Sequence, residues 1–452
     1  MSSPGSLAAV SVHKTETLLF FTLMELAVIV IAGRIGGALA NRFGQAAVVG
    51  EILIGIALGP SLFGWLAPDA FATVFRSAMP EPLQMLSGLG LVLLMFQVGL
   101  EFDFSHLKAR SHRSAALRIA IASLIAPFAI GLAVGYWTAP QLSPESDRSH
   151  SALFIATAFS ITALPVLGRI MLELKITRTP IGVIAISAAA VNDVVGWLLL
   201  ALVTMIAAAT FDGLTFGSRV LMVAAFAIVC VWGVRPVLKK AIRYSSSTQA
   251  LPSKSTAEPG SGLSANLLGG VLATVFLAGM ATYELGIFAI FGAFMMGVIL
   301  FDEPQFVAAW RERVGEFVMV FFLPIFFTYT GLRTSIAGLD TAAAWGWCAC
   351  IVAFATVGKL GAAYFAARSA GLTHSESTIL GFMMNTRGLM ELIVINVGLD
   401  LGMISQKMFT ILVLMSVVSN IITTPILRRH LPRISAALSR SSAIRPTEPA
   451  VL

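Results

Sequence analysis

Long unbroken runs of apolar residues constrain this chain more than any other feature of its sequence. A helix needs about 20 apolar residues to cross the hydrocarbon core of a bilayer, and only helices and closed barrels satisfy their backbone hydrogen bonds in lipid. The apolar residues do not alternate with polar ones as they do in barrel strands. The sequence therefore predicts an all-α polytopic membrane protein with about 13 transmembrane helices. The predicted spans are residues 18–40, 46–66, 84–100, 115–138, 152–173, 181–208, 219–238, 267–283, 285–301, 314–331, 342–367, 376–398 and 408–427.

The composition excludes a water-soluble fold. Of the 452 residues, 57% are hydrophobic and 12% are charged, whereas a soluble domain carries about 25% charged residues. Because the connections between the spans are short, we expect one transmembrane domain at residues 18–427, followed by a short basic tail at residues 428–452. A further soluble domain of about 100 residues is not expected.

The distribution of Lys and Arg predicts the orientation of the chain. With the N-terminus outside, the cytoplasmic segments hold 19 of the 30 Lys and Arg residues, the external segments hold 6, and 5 lie within spans. This asymmetry follows the positive-inside rule and places the C-terminal tail in the cytoplasm. Cytoplasmic loops that face anionic lipid account for the net charge of +7, so no nucleic-acid partner is predicted.

Two parts of the chain resemble each other. The G-x4-G-x2-L pattern that begins at Gly50 in span 2 recurs from Gly292 in span 9, and the end of span 3 around Gly99 resembles the end of span 10 around Gly331. Each pair is seven spans apart, and an odd offset turns the second copy upside down in the membrane. The sequence therefore predicts two inverted six-helix repeats joined by span 7, an architecture typical of secondary transporters.

Charged residues deep within a span are candidates for function, because a charge at the bilayer centre costs at least about 2.5–3.5 kcal/mol. The deepest are Asp193 in span 6, Lys359 in span 11, and Arg387 and Glu391 in span 12. Asp193 has no obvious partner on its own helix and is the leading candidate for an ion or proton site. Arg387 and Glu391 are one turn apart, which favours an internal ion pair. Lys359 fits either a site role or a structural counter-charge.

Helix-breaking and polar residues interrupt spans 5 and 12 near their midpoints. Span 5 contains Ser160, Thr162 and Pro165, and span 12 contains the polar segment 385–388. Pro165 taken alone also fits a simple kink. Because the inverted repeat relates the two spans, a pair of broken helices is predicted, which points to a transport site. Side chains between the broken ends could neutralise their opposed partial charges.

These segments together resemble the monovalent cation:proton antiporters of the second cation:proton antiporter family, which includes Kef-type exchangers and plant cation/proton exchangers. The resemblance implies a homodimer, in which each protomer has a dimerisation domain and a core domain that contains the crossed broken helices. Kef-type relatives continue into a cytoplasmic nucleotide-binding domain, which is not expected here. The likeness covers roughly residues 18–427 and is carried by residues 50–60, 94–101, 160–169, 192–193, 323–334 and 385–394.

The resemblance also implies roles for individual residues. Asp193 matches the carboxylate that binds a proton or a cation in turn. Asn192 stands where electrogenic relatives carry a second aspartate, and Lys359 is similar to the lysine that pairs with that aspartate. We expect Thr162, Ser160 and backbone carbonyls to complete an oxygen shell around the cation.

The functional prediction is a secondary antiporter that exchanges Na+ or K+ for protons in a cell membrane, which would be the inner membrane of a bacterium. An ion gradient is the expected driving force, because no G-x4-G-K-[ST] motif for ATP occurs. No cofactor and no metal beyond the transported ion are expected. An ion-coupled organic anion symporter of the same fold type and a cation channel remain as alternatives.

Enzymatic classes fit the sequence poorly. An intramembrane aspartyl protease needs two deep aspartates, and Asp193 is the only one; metallo and serine types need deep histidines, and all six histidines lie outside the spans. The cysteines Cys230, Cys348 and Cys350 lie inside apolar spans. We interpret them as apolar packing residues, and neither a disulfide nor a zinc site is expected.

Overall fold

A computed structural model of the chain describes residues 4–75, 81–101, 110–174, 176, 179–207, 213–249, 264–285 and 288–443. This part of the chain is almost entirely helical and contains no β-strand. Its α-helices are α1 (Pro4–Arg42), α2 (Ala47–Ala57), α3 (Phe63–Leu66), α4 (Pro68–Val74), α5 (Glu81–Leu100), α6 (Arg110–Leu142), α7 (Arg148–Ser160), α8 (Leu164–Glu173), α9 (Pro180–Ala207), α10 (Gly213–Ile228), α11 (Arg235–Gln249), α12 (Ala265–Glu284), α13 (Ala289–Val298), α14 (Pro304–Trp310), α15 (Leu323–Leu332), α16 (Ala342–Ser369), α17 (His374–Met384), α18 (Leu389–Asp400) and α19 (Gln406–Ala443).

The described residues contain thirteen apolar segments at the predicted positions. Nine are helical stretches long and apolar enough to cross a membrane, and α2 and α13 are shorter apolar helices. The other two segments are pairs of short helices, α7 with α8 and α17 with α18, which stand where spans 5 and 12 were predicted. The predicted all-α fold with about 13 spans and two broken helices is confirmed.

Three segments differ in extent from the prediction. α2 ends at Ala57, just before Pro60, and the short helices α3 and α4 follow. Span 7 contains a π-helical turn at Val229–Val234 and continues as α11 to Gln249. α19 runs on to Ala443, so the first part of the predicted tail is helical, and residues 444–452 of that tail lie outside the described residues. Hydropathy marks where a helix leaves the bilayer, and a helical backbone satisfies its hydrogen bonds on both sides of that point.

The chain divides into two compact units, each built from three segments. Unit 1 consists of Met1–Ala38, Gly50–Asp103 and Ala201–Ala337, and unit 2 consists of Leu39–Val49, Phe104–Leu200 and Gly338–Leu452.

Close backbone packing in unit 1 follows the internal repeat. A Cβ atom added to Gly331 would lie 2.1 Å from the carbonyl oxygen of Gly55, and one added to Gly297 would lie 2.1 Å from the carbonyl oxygen of Phe96. A Cβ atom on Gly99 would meet the Cα of Gly297 at 2.9 Å. Because the repeat equates Gly55 with Gly297 and Gly99 with Gly331, it exchanges these two contacts. Glycine is required at both, since any side chain would force the helices apart.

Unit 2 contains both broken helices. α7 packs along α6, where Gly131 and Gly135 of α6 approach the backbone of Ala156 and Ala152. α16 packs against α6, α17 and α19, and α19 also contacts α18. The two breaks are therefore enclosed by the long helices of this unit.

Candidate ion-binding site

The first break separates α7 from α8. α7 ends at Ser160, Ile161 is extended with φ −73° and ψ 143°, and α8 begins at Leu164. Pro165 is the second residue of α8, where the missing N–H costs no helical hydrogen bond. The proline therefore lies in the first turn of the second half-helix and does not kink a continuous helix.

The second break separates α17 from α18 and depends on Gly388. This residue has φ 148° and ψ −123°, a conformation that residues with a side chain rarely adopt. A Cβ atom there would also lie 2.8 Å from Cγ2 of Val166 in α8. Gly388 thus permits both the backbone turn and the close approach of α8.

Hydrogen bonds join the two breaks directly. The backbone N–H of Ala163 donates to the carbonyl oxygen of Thr386 at 3.1 Å, and the hydroxyl of Thr162 donates to the carbonyl oxygen of Met384 at 3.2 Å. The backbone groups at each break have lost their helical hydrogen-bond partners, and groups of the other break replace some of these partners.

Arg387 connects the second break to the C-terminal end of α7. Its guanidinium donates to the carbonyl oxygens of Ala158 at 3.0 Å and Phe159 at 3.3 Å, and to that of Ala355 at 3.4 Å. It also forms an ion pair with Glu391 at 2.9 Å, and both side chains are buried. The charged pair predicted within span 12 therefore reaches the carbonyl end of the other broken helix.

Lys359 contacts the same end of α7. Its ammonium donates to the carbonyl oxygen of Ser123 at 2.9 Å and to that of Ser160. The hydroxyl of Ser160 donates to the carbonyl oxygen of Thr157 within α7. The last carbonyls of α7, which carry the negative end of the helix dipole, are thus covered by two cationic side chains.

Asp193 lies in α9 and is fully buried. Neither of its carboxylate oxygens makes a hydrogen bond of normal geometry with any described residue. The backbone N–H of Leu164, at the start of α8, lies close enough to interact with the carboxylate. The positive end of the α8 dipole therefore faces a carboxyl group that side chains in the described part of the chain leave unpaired.

Asn192 links this carboxylate region to the first break. Its Nδ2 donates to the hydroxyl oxygen of Ser123 at 3.0 Å and to that of Thr162 at 3.3 Å. Its Oδ1 has no partner among the described residues. Asn192, Asp193 and Thr162, all predicted as site residues, are therefore brought together around α9 and the first break.

Sequence reasoning missed Asn420, which holds the second break from α19. Its Oδ1 accepts from the backbone N–H of Arg387 at 3.0 Å, and its Nδ2 donates to the backbone carbonyl of Arg387 at 2.6 Å. The side-chain amide thus replaces both backbone partners that Arg387 lost when the helix broke. An asparagine deep in predicted span 13 could have indicated this role, whereas a single serine in an apolar span, such as Ser123, indicates nothing.

Two crossed broken helices, an inverted repeat and a buried carboxylate beside the crossing define a secondary membrane transporter. The profile of the family described as "Sodium/hydrogen exchanger, transmembrane" matches residues 26–431. The chain belongs to this family, whose members are transporters rather than enzymes, and it is an integral multi-pass membrane protein.

Known proteins resemble the chain over nearly its full length. It is 36% identical to the Na+/H+ antiporter NhaS4 of Synechocystis sp. over 92% of this chain and 98% of that protein. It is 34% identical to cation/H+ antiporter 17 of Arabidopsis thaliana and 30% identical to K+/H+ antiporter 1 of Saccharomyces cerevisiae, with 91% and 89% of this chain covered. The chain spans about half the length of the plant and yeast proteins, 48% and 46%.

A solved structure shows the same fold. The sodium proton antiporter MjNhaP1 of Methanocaldococcus jannaschii matches with a TM-score of 0.61, at 13% sequence identity, over 91% of this chain and 98% of that one.

Proposed function

We propose that the chain is a secondary antiporter that exchanges a monovalent cation, Na+ or K+, for protons across the membrane. The similar proteins support this substrate class, because they are named as Na+/H+, cation/H+ and K+/H+ antiporters. The observation that carries the proposal is the fully buried carboxylate of Asp193, which lies beside a helix break and has no side-chain hydrogen-bond partner among the described residues.

Competition for this carboxylate would couple the two fluxes. A buried carboxylate without a partner is costly, so it is stable when a proton or a cation neutralises it. Arg387 and Lys359 do not fill that role, because their described hydrogen bonds go to carbonyl oxygens and to Glu391. A proton and a cation therefore exclude each other at Asp193, and the site changes its access only when one of them is bound.

The predicted site residues fall into two groups in this proposal. The first group offers oxygen atoms to the cation or carries the proton, and consists of Asp193, Asn192, Thr162 and Ser160. The second group has counter-charge or structural roles: Lys359 and Arg387 donate to carbonyl oxygens at the end of α7, and Glu391 pairs with Arg387.

The assembly and orientation are also proposals. We infer a homodimer in which unit 1 provides the contact between protomers. The chain would lie in the cell membrane, or the inner membrane of a bacterium, with its C-terminus in the cytoplasm. The excess of Lys and Arg in the predicted cytoplasmic segments, 19 against 6, supports this orientation.

The test is exchange in proteoliposomes that contain a pH-sensitive dye. After a pH gradient is imposed, addition of Na+, K+ or Li+ alone should dissipate it with the wild-type protein. Asp193→Asn should abolish this movement, whereas Asp147→Asn, a control at the exposed N-cap of α7 where asparagine also caps, should retain it. Undiminished exchange by Asp193→Asn, or proton movement only when an organic anion is added, would contradict the proposal.

Exchange should be electroneutral, with one proton for one cation. Asn192 cannot change its charge, so Asp193 is the group that exchanges a proton for the cation, on the condition that Lys359 keeps its proton throughout the cycle. The site then carries the same charge in both directions. The check is Na+-driven exchange with the membrane potential clamped by K+ and valinomycin. Each uncompensated charge is worth about 2.3 kcal/mol per 100 mV, so a dependence of the exchange end-point on voltage would exclude the one-for-one ratio.

A further inference from the structure

Asn385 is a buried amide that the described structure leaves unused. It follows the last residue of α17, and its backbone N–H donates to the carbonyl oxygen of Gly381. Its side chain is fully buried, yet neither Oδ1 nor Nδ2 has a partner among the described residues. Leaving a buried polar group unsatisfied is unfavourable, so this amide is available to a ligand.

The backbone on both sides of Asn385 is fixed. The preceding carbonyl, that of Met384, accepts from the hydroxyl of Thr162, and the following carbonyl, that of Thr386, accepts from the N–H of Ala163. Thr162 in turn accepts from Asn192, the neighbour of Asp193. A continuous chain of short contacts therefore joins the Asn385 segment to the Asp193 region.

The electrostatics at this place favour a cation. Asn385 lies at the C-terminal end of α17, which carries the negative end of the helix dipole, and the last turn of α17 contains no basic residue. The two bonds described above bring only neutral donors to this end. A monovalent cation prefers oxygen ligands of this kind, including neutral amide and carbonyl oxygens.

We propose that the amide oxygen of Asn385 is a ligand of the transported monovalent cation, and that it helps to set the preference among Li+, Na+ and K+. This inference rests on the proposed antiport function and extends its ion site from the first break to the second. Asp193 supplies the charge, and Asn385 supplies a neutral oxygen on a rigid segment, so the distance between them selects for ion size.

The experiment compares Asn385→Ala, Asn385→Leu and Asn385→Ser with the wild type. Half-saturating concentrations of Li+, Na+ and K+ are measured by exchange in proteoliposomes. Thermal unfolding in detergent is measured with each chloride salt and with choline chloride as the non-binding control. A bound cation raises the unfolding temperature by mass action, so this second readout reports binding without transport.

Asn385→Ala and Asn385→Leu should still exchange cations for protons, but with half-saturating concentrations raised about tenfold, the loss expected for a charge–dipole contact. The order of preference among the three cations should also change. Asn385→Ser keeps an oxygen at the same backbone position, so it should lie between these variants and the wild type, and it serves as the readable variant if the others fail to fold. The matched control is Asn396→Ala, which removes a buried amide of α18 that bonds within its own helix to Leu392.

The inference would be overturned if the half-saturating concentrations stayed within twofold of the wild type and the order of preference did not change, even with a lower unfolding temperature. An amide that only binds water or stabilises the fold does not distinguish the cations. This result differs from failure of the proposed function, in which the wild-type protein itself shows no cation-driven proton movement.

Discussion

Both broken helices are interrupted for a few residues, but basic side chains donate to the carbonyl end of one and neutral groups donate to that of the other. Each is interrupted for a few residues, at 161–163 and 385–388, and the internal repeat relates one to the other. The C-terminal end of α7 accepts hydrogen bonds from two cationic side chains, Arg387 and Lys359. The side chains that donate to the corresponding end of α17 are neutral hydroxyls, those of Thr162, Thr386 and Thr423.

This difference shows how two related breaks can differ in their ability to bind a cation. Both breaks expose a negative carbonyl end and a positive N–H end. Hydrogen bonds from two basic side chains, Arg387 and Lys359, occupy the carbonyl oxygens at the C-terminal end of α7. The other carbonyl end remains available to a mobile cation, and the positive end of α8 faces Asp193.

The largest effect is expected from removing Arg387. Arg387→Met leaves Glu391 buried without its partner and removes the donor from the carbonyls of Ala158 and Phe159. Breaking a buried ion pair from one side costs about 3–5 kcal/mol. We therefore expect a loss of this size in chemical unfolding measured in detergent micelles, together with loss of exchange.

The matched control for this substitution is Arg118→Met. Arg118 also donates to a backbone carbonyl, that of Ser369, but at an exposed position, so its replacement should cost about 1 kcal/mol or less. If the two variants were equally stable, the α7 end would not depend on its cation and the comparison of the two breaks would fail.

Lys359→Gln should have the next largest effect. The charged donor to Ser123 and Ser160 is lost, and hydrogen bonds from charged groups contribute about 1.5–3 kcal/mol. A counter-charge role predicts a fall in stability that exceeds any change in cation preference. Lys407→Gln, at an exposed pair with Asp340, is the control. Normal stability with lost transport would instead assign Lys359 to the transport cycle.

Asn420→Ala tests whether the uncharged amide of Asn420 stabilises the second break. It removes both side-chain partners of the Arg387 backbone, at a cost of about 1–3 kcal/mol. Hydrogen exchange of the backbone N–H of Arg387 should accelerate, because the break opens more often. Asn396→Ala should leave that exchange rate unchanged. An unaltered rate in Asn420→Ala would mean that packing alone holds the break.

The sequence predicts the spans and the deep charges well, because both are local properties. A run of apolar residues identifies a span wherever it packs, and a charge in such a run is conspicuous, which is why Asp193, Lys359, Arg387 and Glu391 could be named in advance. The repeat is recognised from the G-x4-G-x2-L pattern and the order of its two matches, and close packing explains why glycine stands in both copies.

Partners distant along the chain could not be read from the sequence. Arg387 donates to Ala158, which is 229 residues away, and no local pattern indicates that pairing. Pro165 signalled a break but not its position, because a proline is also tolerated in the first turn of a helix. In the sequence, Asn385 is one of several polar residues at the second break. Its side chain differs from the others in having no partner among the described residues.

The smallest effect is expected from Thr162→Val, which measures the neutral side of the comparison. The change removes one neutral hydrogen bond, from the hydroxyl to the carbonyl oxygen of Met384, and one acceptor for Asn192, which keeps its bond to Ser123. A neutral hydrogen bond contributes about 0.5–1.5 kcal/mol, so stability should fall less than in Lys359→Gln. Because the hydroxyl also lies among the oxygens offered to the cation, half-saturation should rise several-fold while the maximal exchange rate is largely retained.

The control for this last substitution is Thr157→Val, which removes a hydroxyl that bonds within α7 to Leu153. It also removes one neutral hydrogen bond, worth about 0.5–1.5 kcal/mol, but it should not alter cation half-saturation. Unfolding in micelles and exchange in proteoliposomes, measured on the same preparations, separate the two expectations. The contrary result is that Thr162→Val destabilises the protein as strongly as Lys359→Gln. The end of α17 would then depend on its neutral donor as much as the end of α7 depends on its basic donors. In that case the electrostatic difference between the two breaks would not explain where the cation binds.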